Sequence, residues 1–264
     1  YHLKKKRKMT RTKDFLILLT RLFLGYIFVS AGFCKLTHGH FGQLIGPPWL
    51  EERLAEYGLA MFARVVAWSQ IVCGVLLLSQ RFSILGAIML FPMNVSILAV
   101  TISMDWHGTP YINAVFLVLN LMLLLYEWPK FRFLFHPGTF TVLPDPLDEL
   151  RKSVLNIAAL VLFAVGALVA SAGIYVTAAF VFCLALITLA IPLIRSGLFS
   201  VVEKVLIAQS ILNMLLVTLA FGNDLITAAV GVNTGGIALL LTWWAVSKAR
   251  KKEPVVQAPE NFFV

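Results

Sequence analysis

The stretch that decides the fold is Thr20–Leu36, TRLFLGYIFVSAGFCKL. Its apolar run is long enough to cross a bilayer, which takes about 20 predominantly apolar residues in a helix. It nevertheless carries Arg21 near one end and Lys35 at the other. Counting along it by four and three gives Arg21, Gly25, Phe28, Gly32 and Lys35, all on one helical face. Two glycines on the face that bears the cations let a second helix approach closely. That face therefore reads as an interface, not as a side turned to lipid.

The rest of the chain has the same character. Of 264 residues, 59% are hydrophobic and 13% charged, with mean hydropathy +0.87. A soluble domain has roughly 25% charged residues, so this chain lacks the polar atoms to coat a water-facing surface. Eight apolar stretches are long enough to span, at about 15–35, 58–79, 82–104, 109–128, 153–172, 175–194, 201–221 and 225–247. None alternates with period two, which argues against a membrane β-barrel. The expected fold is an all-α integral membrane protein of eight transmembrane helices in two four-helix bundles. Residues 1–13 would form a basic tail, 14–128 the first bundle, 129–152 a linker, 153–247 the second bundle and 248–264 a polar tail.

Charge placement gives the orientation. Eighteen of the 22 basic residues fall in the N-terminal tail, the 2–3 and 6–7 turns, the central connection and the C-terminal tail. The other face has only Lys35 and Arg53 in its loops, while Arg21 and Arg64 lie within spans. The positive-inside rule then puts both termini in the cytoplasm of a plasma (inner) membrane protein, and eight crossings return the chain to that side. Basic patches so placed set orientation and attract anionic lipid headgroups; nucleic acid is not an expected partner. VSAG at 29–32 resembles a signal-peptide cleavage site, but the apolar run exceeds the 7–15 residues of a signal core.

The outer connection between spans 1 and 2 contains PPWLEERLAEYG (47–58), read as a short helix over about 48–57 lying at the headgroup level. In the central connection, Asp145 and Pro146 form a helix-start signal ahead of span 5. Cys34, Cys73 and Cys183 form no Cys-x-x-Cys motif and read as buried structural thiols.

Each of the first four spans has one polar stripe. Span 2 places Ala63, Ala67, Gln70 and Gly74 together; span 3 pairs Asn94 with Thr101, two residues after Pro92; span 4 pairs Asn113 with Asn120. The simplest packing turns these stripes inward as a seam of Arg21, Lys35, Gln70, Asn94, Asn113 and Asn120. Arg21 lies about 10 Å and Gln70 about 13 Å from the inner boundary at 1.5 Å per residue, so their depths match. An arginine at a helix centre costs about 2.5–3.5 kcal/mol on insertion scales. Two readings stand side by side: a snorkelling arginine with amides that glue helices, or a polar cavity for a quinone, a lipid headgroup or another amphiphile. Spans 1–4 show no carboxylate at mid-depth, so in the second reading a bound anionic or carbonyl-bearing molecule partners Arg21.

Three further groups are candidates. His38, His40, Asp105 and His107 gather at the outer edge as weak metal candidates, without diagnostic spacing. No histidine lies within a span, so intramembrane haem is not expected. In the second half, AVGVNTGGIA (229–238) brackets Asn233 and Thr234 with Gly231 and Gly235, and Gln209 and Asn213 on span 7 face the same place. Close packing against a partner helix is one meaning of that pattern; a broken helix lining a transport site is the other.

A first span with Arg, Gly and a Ser-Ala-Gly-x-x-Lys-Leu ending, an arginine turn followed by GAIMLFPM, and an outer W-x-G-T-P resembles the DoxX family over about 14–130. Arg21, Gly25, Gly32, Lys35 and Gly74 match the pattern, and Gln70 stands where relatives often have glutamate. The resemblance implies a four-helix membrane bundle, and membership of quinone-linked redox or envelope assemblies as an accessory subunit with membrane or periplasmic partners. A small-molecule transporter centred on spans 7–8 and a purely structural subunit are the alternative functions.

Overall fold

The computed structural model describes residues 12–40, 49–131, 147–220 and 223–250. Ten helices lie within them: α1 (Thr12–Leu36), α2 (Leu50–Ala55), α3 (Ala60–Leu78), α4 (Ser83–Ser103), α5 (Thr109–Phe131), α6 (Asp148–Arg151), α7 (Val154–Ser171), α8 (Tyr175–Arg195), α9 (Val201–Leu219) and α10 (Asp224–Arg250). All but α2 and α6 are long and apolar enough to cross a membrane. These eight match the expected spans to within three residues at each end. The protein is an all-helical, multi-pass membrane protein, and an even number of crossings returns the chain to the face where α1 begins. That face is called the near end below.

Helix α1 is the axis of the molecule. In its most apolar window 78% of residues are buried, the largest share of any span. One side of it packs with α3, α4 and α5, where Leu24, Ile27 and Phe28 meet Cys73, Leu77, Leu90 and Phe116. The opposite side faces the second four spans. Phe15 packs 5.0 Å from Trp244 and 5.9 Å from Phe199 between ring centroids; Phe33 packs 5.1 Å from Phe182, which in turn packs on Phe163. Helices α7 to α10 pack in chain order, and α10 has no buried residue in its most apolar window.

Small residues set the tightest crossing. A Cβ on Gly74 would stand 2.5 Å from the Gly25 carbonyl oxygen, and one on Gly32 would stand 2.6 Å from that of Ala67. Backbone thus meets backbone where α1 crosses α3, as the glycine face predicts. Helix α9 starts with a reciprocal cap: Ser200 Oγ accepts from the Glu203 N–H, and the Glu203 carboxylate accepts from the Ser200 N–H.

Two boundaries differ from expectation. Helix α5 runs through Pro129 to Phe131, past the expected end at 128; a proline in the last turn leaves only a short stretch of helix beyond it. The outer helix is shorter than 48–57, ending at Ala55 before a turn with Gly58 in the left-handed region. Leu54 is its buried anchor, Tyr57 is exposed, and Trp49 stacks edge-on against Trp106. The helix-start signal at Asp145–Pro146 lies outside the described residues, as do the two tails but for residues 12, 13 and 248–250.

Candidate functional site in the first four spans

All six seam residues are buried. Arg21 is 1% exposed, and Lys35, Gln70, Asn94, Asn113 and Asn120 are enclosed likewise. Their partners occupy successive levels of the bundle.

At the near end, Arg21 bonds the Glu127 carboxylate on α5, and its second amino group reaches Gln80 Oε1 at 3.5 Å. This corrects the expectation that Arg21 has no internal counter-ion. The guanidinium reaches back towards the near end, and the extension of α5 to Phe131 keeps Glu127 a full turn inside its helix. Glu127 also receives Lys130 Nζ at 2.7 Å and Arg151 Nη2 at 3.4 Å. Three cations from α1, α5 and α6 therefore converge on one buried carboxylate. Gln80 is shaped for its place: its left-handed backbone (φ 56°) ends α3, and its amide nitrogen donates to the Leu77 and Leu78 carbonyls at 3.4 and 3.2 Å. These are terminal carbonyls that the helix itself leaves unsatisfied. Beside this group, the Tyr126 hydroxyl donates to the buried Asp14 carboxylate.

At the next level the Asn120 amide, oriented to satisfy both neighbours, donates to the Ala87 carbonyl (3.2 Å) and accepts from the Phe91 N–H (3.0 Å). Those two groups are i,i+4 partners in the turn just before Pro92, whose missing N–H leaves the next carbonyl, that of Ile88, without its helical donor. Above it, Asn113 Nδ2 donates to the Asn94 main-chain carbonyl at 3.0 Å. The Asn94 side chain is wholly buried, yet neither its nitrogen nor its oxygen has a hydrogen-bond partner among the described residues.

Towards the far end, Lys35 folds back along α1. Its Nζ donates to the Ala31 carbonyl at 3.1 Å and to Gln70 Oε1 at 3.0 Å. Gln70 therefore serves Lys35 and not Arg21, despite the matched depths of the latter pair. A long lysine stem lets the ammonium reach a turn away from its own Cα, here towards the interior.

Across the boundary to the second four spans, the Tyr26 hydroxyl meets the Met214 carbonyl at 2.8 Å and Thr218 Oγ1 at 3.0 Å. Sequence reasoning missed Glu127, Gln80, Asp14 and Tyr26. For Glu127 a signal existed: it continues the Asn113, Asn120 stripe by seven more residues. The others carry no pattern that separates them from boundary polarity.

The outer histidine group does not assemble. Among the described residues no three His, Cys, Asp or Glu side chains come together as a metal site. His40 instead stacks on Tyr175 at 5.2 Å, and His38 and Asp105 adopt left-handed backbone in turns that follow helices. Cys34, Cys73 and Cys183 are buried and unbridged.

The secondary cluster does come together. Asn233 Nδ2 donates to the Gln209 carbonyl at 3.0 Å and lies 3.3 Å from Asn213 Oδ1, while Asn213 Nδ2 donates to Thr234 Oγ1 at 3.1 Å. These bonds tie α9 to α10. Helix α10 is unbroken from Asp224 to Arg250, so the unwound segment that a transport site would use is not there. Gly231 and Gly235 have open space where a Cβ would stand, so their close-packing pattern meets no helix among the described residues.

With this geometry in place, comparison with known proteins adds one finding. No curated protein and no solved structure matches the chain. The DoxX family model matches residues 16–103, which run from α1 to the end of α4 and stop short of α5. The chain is a multi-pass membrane protein with an N-terminal segment, residues 16–103, that is similar to the DoxX family.

Proposed function

We propose that the chain is an accessory subunit of an inner-membrane redox or envelope assembly, and that its first four spans hold a quinone-like amphiphile at the level of Asn94. The observation that carries this reading is the orphaned Asn94 amide. A buried polar group without a partner costs about 1–3 kcal/mol. A primary amide offers both a donor and an acceptor, so Asn94 suits a ring carbonyl that accepts from Nδ2 and, after reduction, a hydroxyl that donates to Oδ1. Lys35, with two of its three N–H groups committed, is a second donor towards the far end. Glu127, gripped by three cations, holds helices together and is not poised as a base.

The test is quinone content. Protein purified in mild detergent retains quinone in near one-to-one ratio, and Asn94→Leu loses it while keeping its helical content. Equal content in both, or none in either, rejects the reading. A second reading has its own support: because Glu127 neutralises Arg21 internally, the seam is also suited to a purely structural subunit. Absence of quinone together with a stoichiometric membrane partner selects it. Both termini are placed in the cytoplasm on the charge bias, and a green fluorescent protein fused at the C-terminus then fluoresces.

A further inference from the structure

The face of α3 turned away from Gln70 borders an open groove of about 750 Å³, whose walls include Met61, Arg64, Val65, Trp68, Val72 and Met89. That size falls among ligand-binding pockets, which run to roughly 300–1,000 Å³. Among the described residues its lining is otherwise apolar apart from Ser69, and Arg64 is the one charged side chain. The polarity runs in one direction. Arg64 is four residues into α3, so about 6 Å from the far end, and Val72 lies about 12 Å deeper at 1.5 Å per residue. Met89 on α4 closes the deep end. A cation at headgroup depth above an apolar channel complements a phosphate above an acyl chain. Guanidinium is the side chain best matched to phosphate, by paired N–H donors, and Trp68, about 12 Å from the far end by the same count, lies mid-span and adds an aromatic wall to the apolar part of the groove.

We infer that this groove is a binding site for one anionic phospholipid, its phosphate on Arg64 and one acyl chain along Val65, Trp68, Val72 and Met89. The site lies outside the bundle, on the other face of α3 from the seam, and does not depend on what the seam holds.

Native mass spectrometry of the full chain, delipidated and resupplied with phosphatidylglycerol or phosphatidylcholine in mixed micelles, tests it. The native protein retains one phosphatidylglycerol in preference to phosphatidylcholine. Arg64→Gln weakens phosphatidylglycerol retention about tenfold, the worth of one charge-assisted hydrogen bond, and leaves phosphatidylcholine unchanged. Val72→Trp, which fills the channel, lowers retention of both. The two substitutions act at opposite ends of the groove, so if one variant does not fold the other decides. Undiminished phosphatidylglycerol binding in a folded variant overturns the inference. So does a transmembrane protein, rather than lipid, cross-linked through Val72→Cys.

Discussion

Arg21 on α1 and Glu127 on α5 form an ion pair in which both side chains are about 2% exposed. Such a pair is costly to break, because removing one partner strands the other charge away from water; losses of 3–5 kcal/mol are typical. The two sides are not equivalent here. Glu127→Gln leaves Arg21, Lys130 and Arg151 facing one another, whereas Arg21→Gln leaves the carboxylate with two cations. Glu127→Gln is therefore expected to be the more destabilising, by about 1 kcal/mol or more beyond Arg21→Gln. The double change Arg21→Met, Glu127→Leu should recover most of the loss. Thermal unfolding of the four proteins in one detergent checks the order, and a double variant no better than Glu127→Gln contradicts it.

The glycines divide into two sets with opposite expectations. At Gly74 and Gly32 a Cβ would meet carbonyl oxygens of the facing helix at 2.5 and 2.6 Å. Backbone cannot step aside as a side-chain tip can, so Gly74→Ala and Gly32→Ala should each destabilise by about 1–3 kcal/mol. At Gly231 and Gly235 a Cβ meets nothing within 4 Å. There alanine should be neutral or stabilise by up to about 1 kcal/mol through helix propensity. Unfolding midpoints of the four single variants provide the comparison. Destabilisation at Gly235→Ala that scales with protein concentration would instead identify a helix from another chain on that face.

These contrasts also show where sequence is informative. The eight spans were readable because the bilayer imposes a length and forbids interior charge, and both demands leave long marks in the sequence. The α1 face was readable because its glycines and cations recur at helical spacing. Partner identity was harder. Depth counting paired Gln70 with Arg21, whereas the long lysine stem gives Gln70 to Lys35. Glu127 lies one residue inside the expected end of span 4 at 128, where a buried carboxylate and a headgroup-level one leave the same mark in the sequence. The GxxxG spacing in α10 states that a close approach is possible, but not whether the approaching helix belongs to the same chain.

The two interior asparagines should respond differently to loss of their amides. Asn120 satisfies a carbonyl and an N–H of the backbone beside Pro92. Asn120→Leu removes both bonds, leaving the Ala87 carbonyl and the Phe91 N–H only their i,i+4 pairing with each other, and should cost about 0.5–1.5 kcal/mol. Asn94 satisfies nothing with its side chain among the described residues. In protein stripped of small molecules, Asn94→Leu should then be neutral or stabilising, since a similar-sized apolar group removes a desolvation penalty. Unfolding of delipidated and untreated samples separates the cases. A loss at Asn94→Leu that persists after stripping points to a permanently bound internal water.

Tyr26 tests how far α9 depends on α1. Its hydroxyl is the bridge from the first spans to Met214 and Thr218, and lies within a mainly apolar contact between the two. Tyr26→Phe keeps the ring packed against Phe182, 6.3 Å away, and removes only the polar link. The Met214 carbonyl and the Thr218 hydroxyl lose one partner each, so the expected cost is about 1 kcal/mol. The loss should fall locally, as faster amide exchange in α9 around 210–218 with little change in α3 or α4. The seam bonds of Arg21 and Asn120 are untouched by this change. Uniformly faster exchange across the first four spans would mean that the hydroxyl supports α1 itself and not its junction with α9.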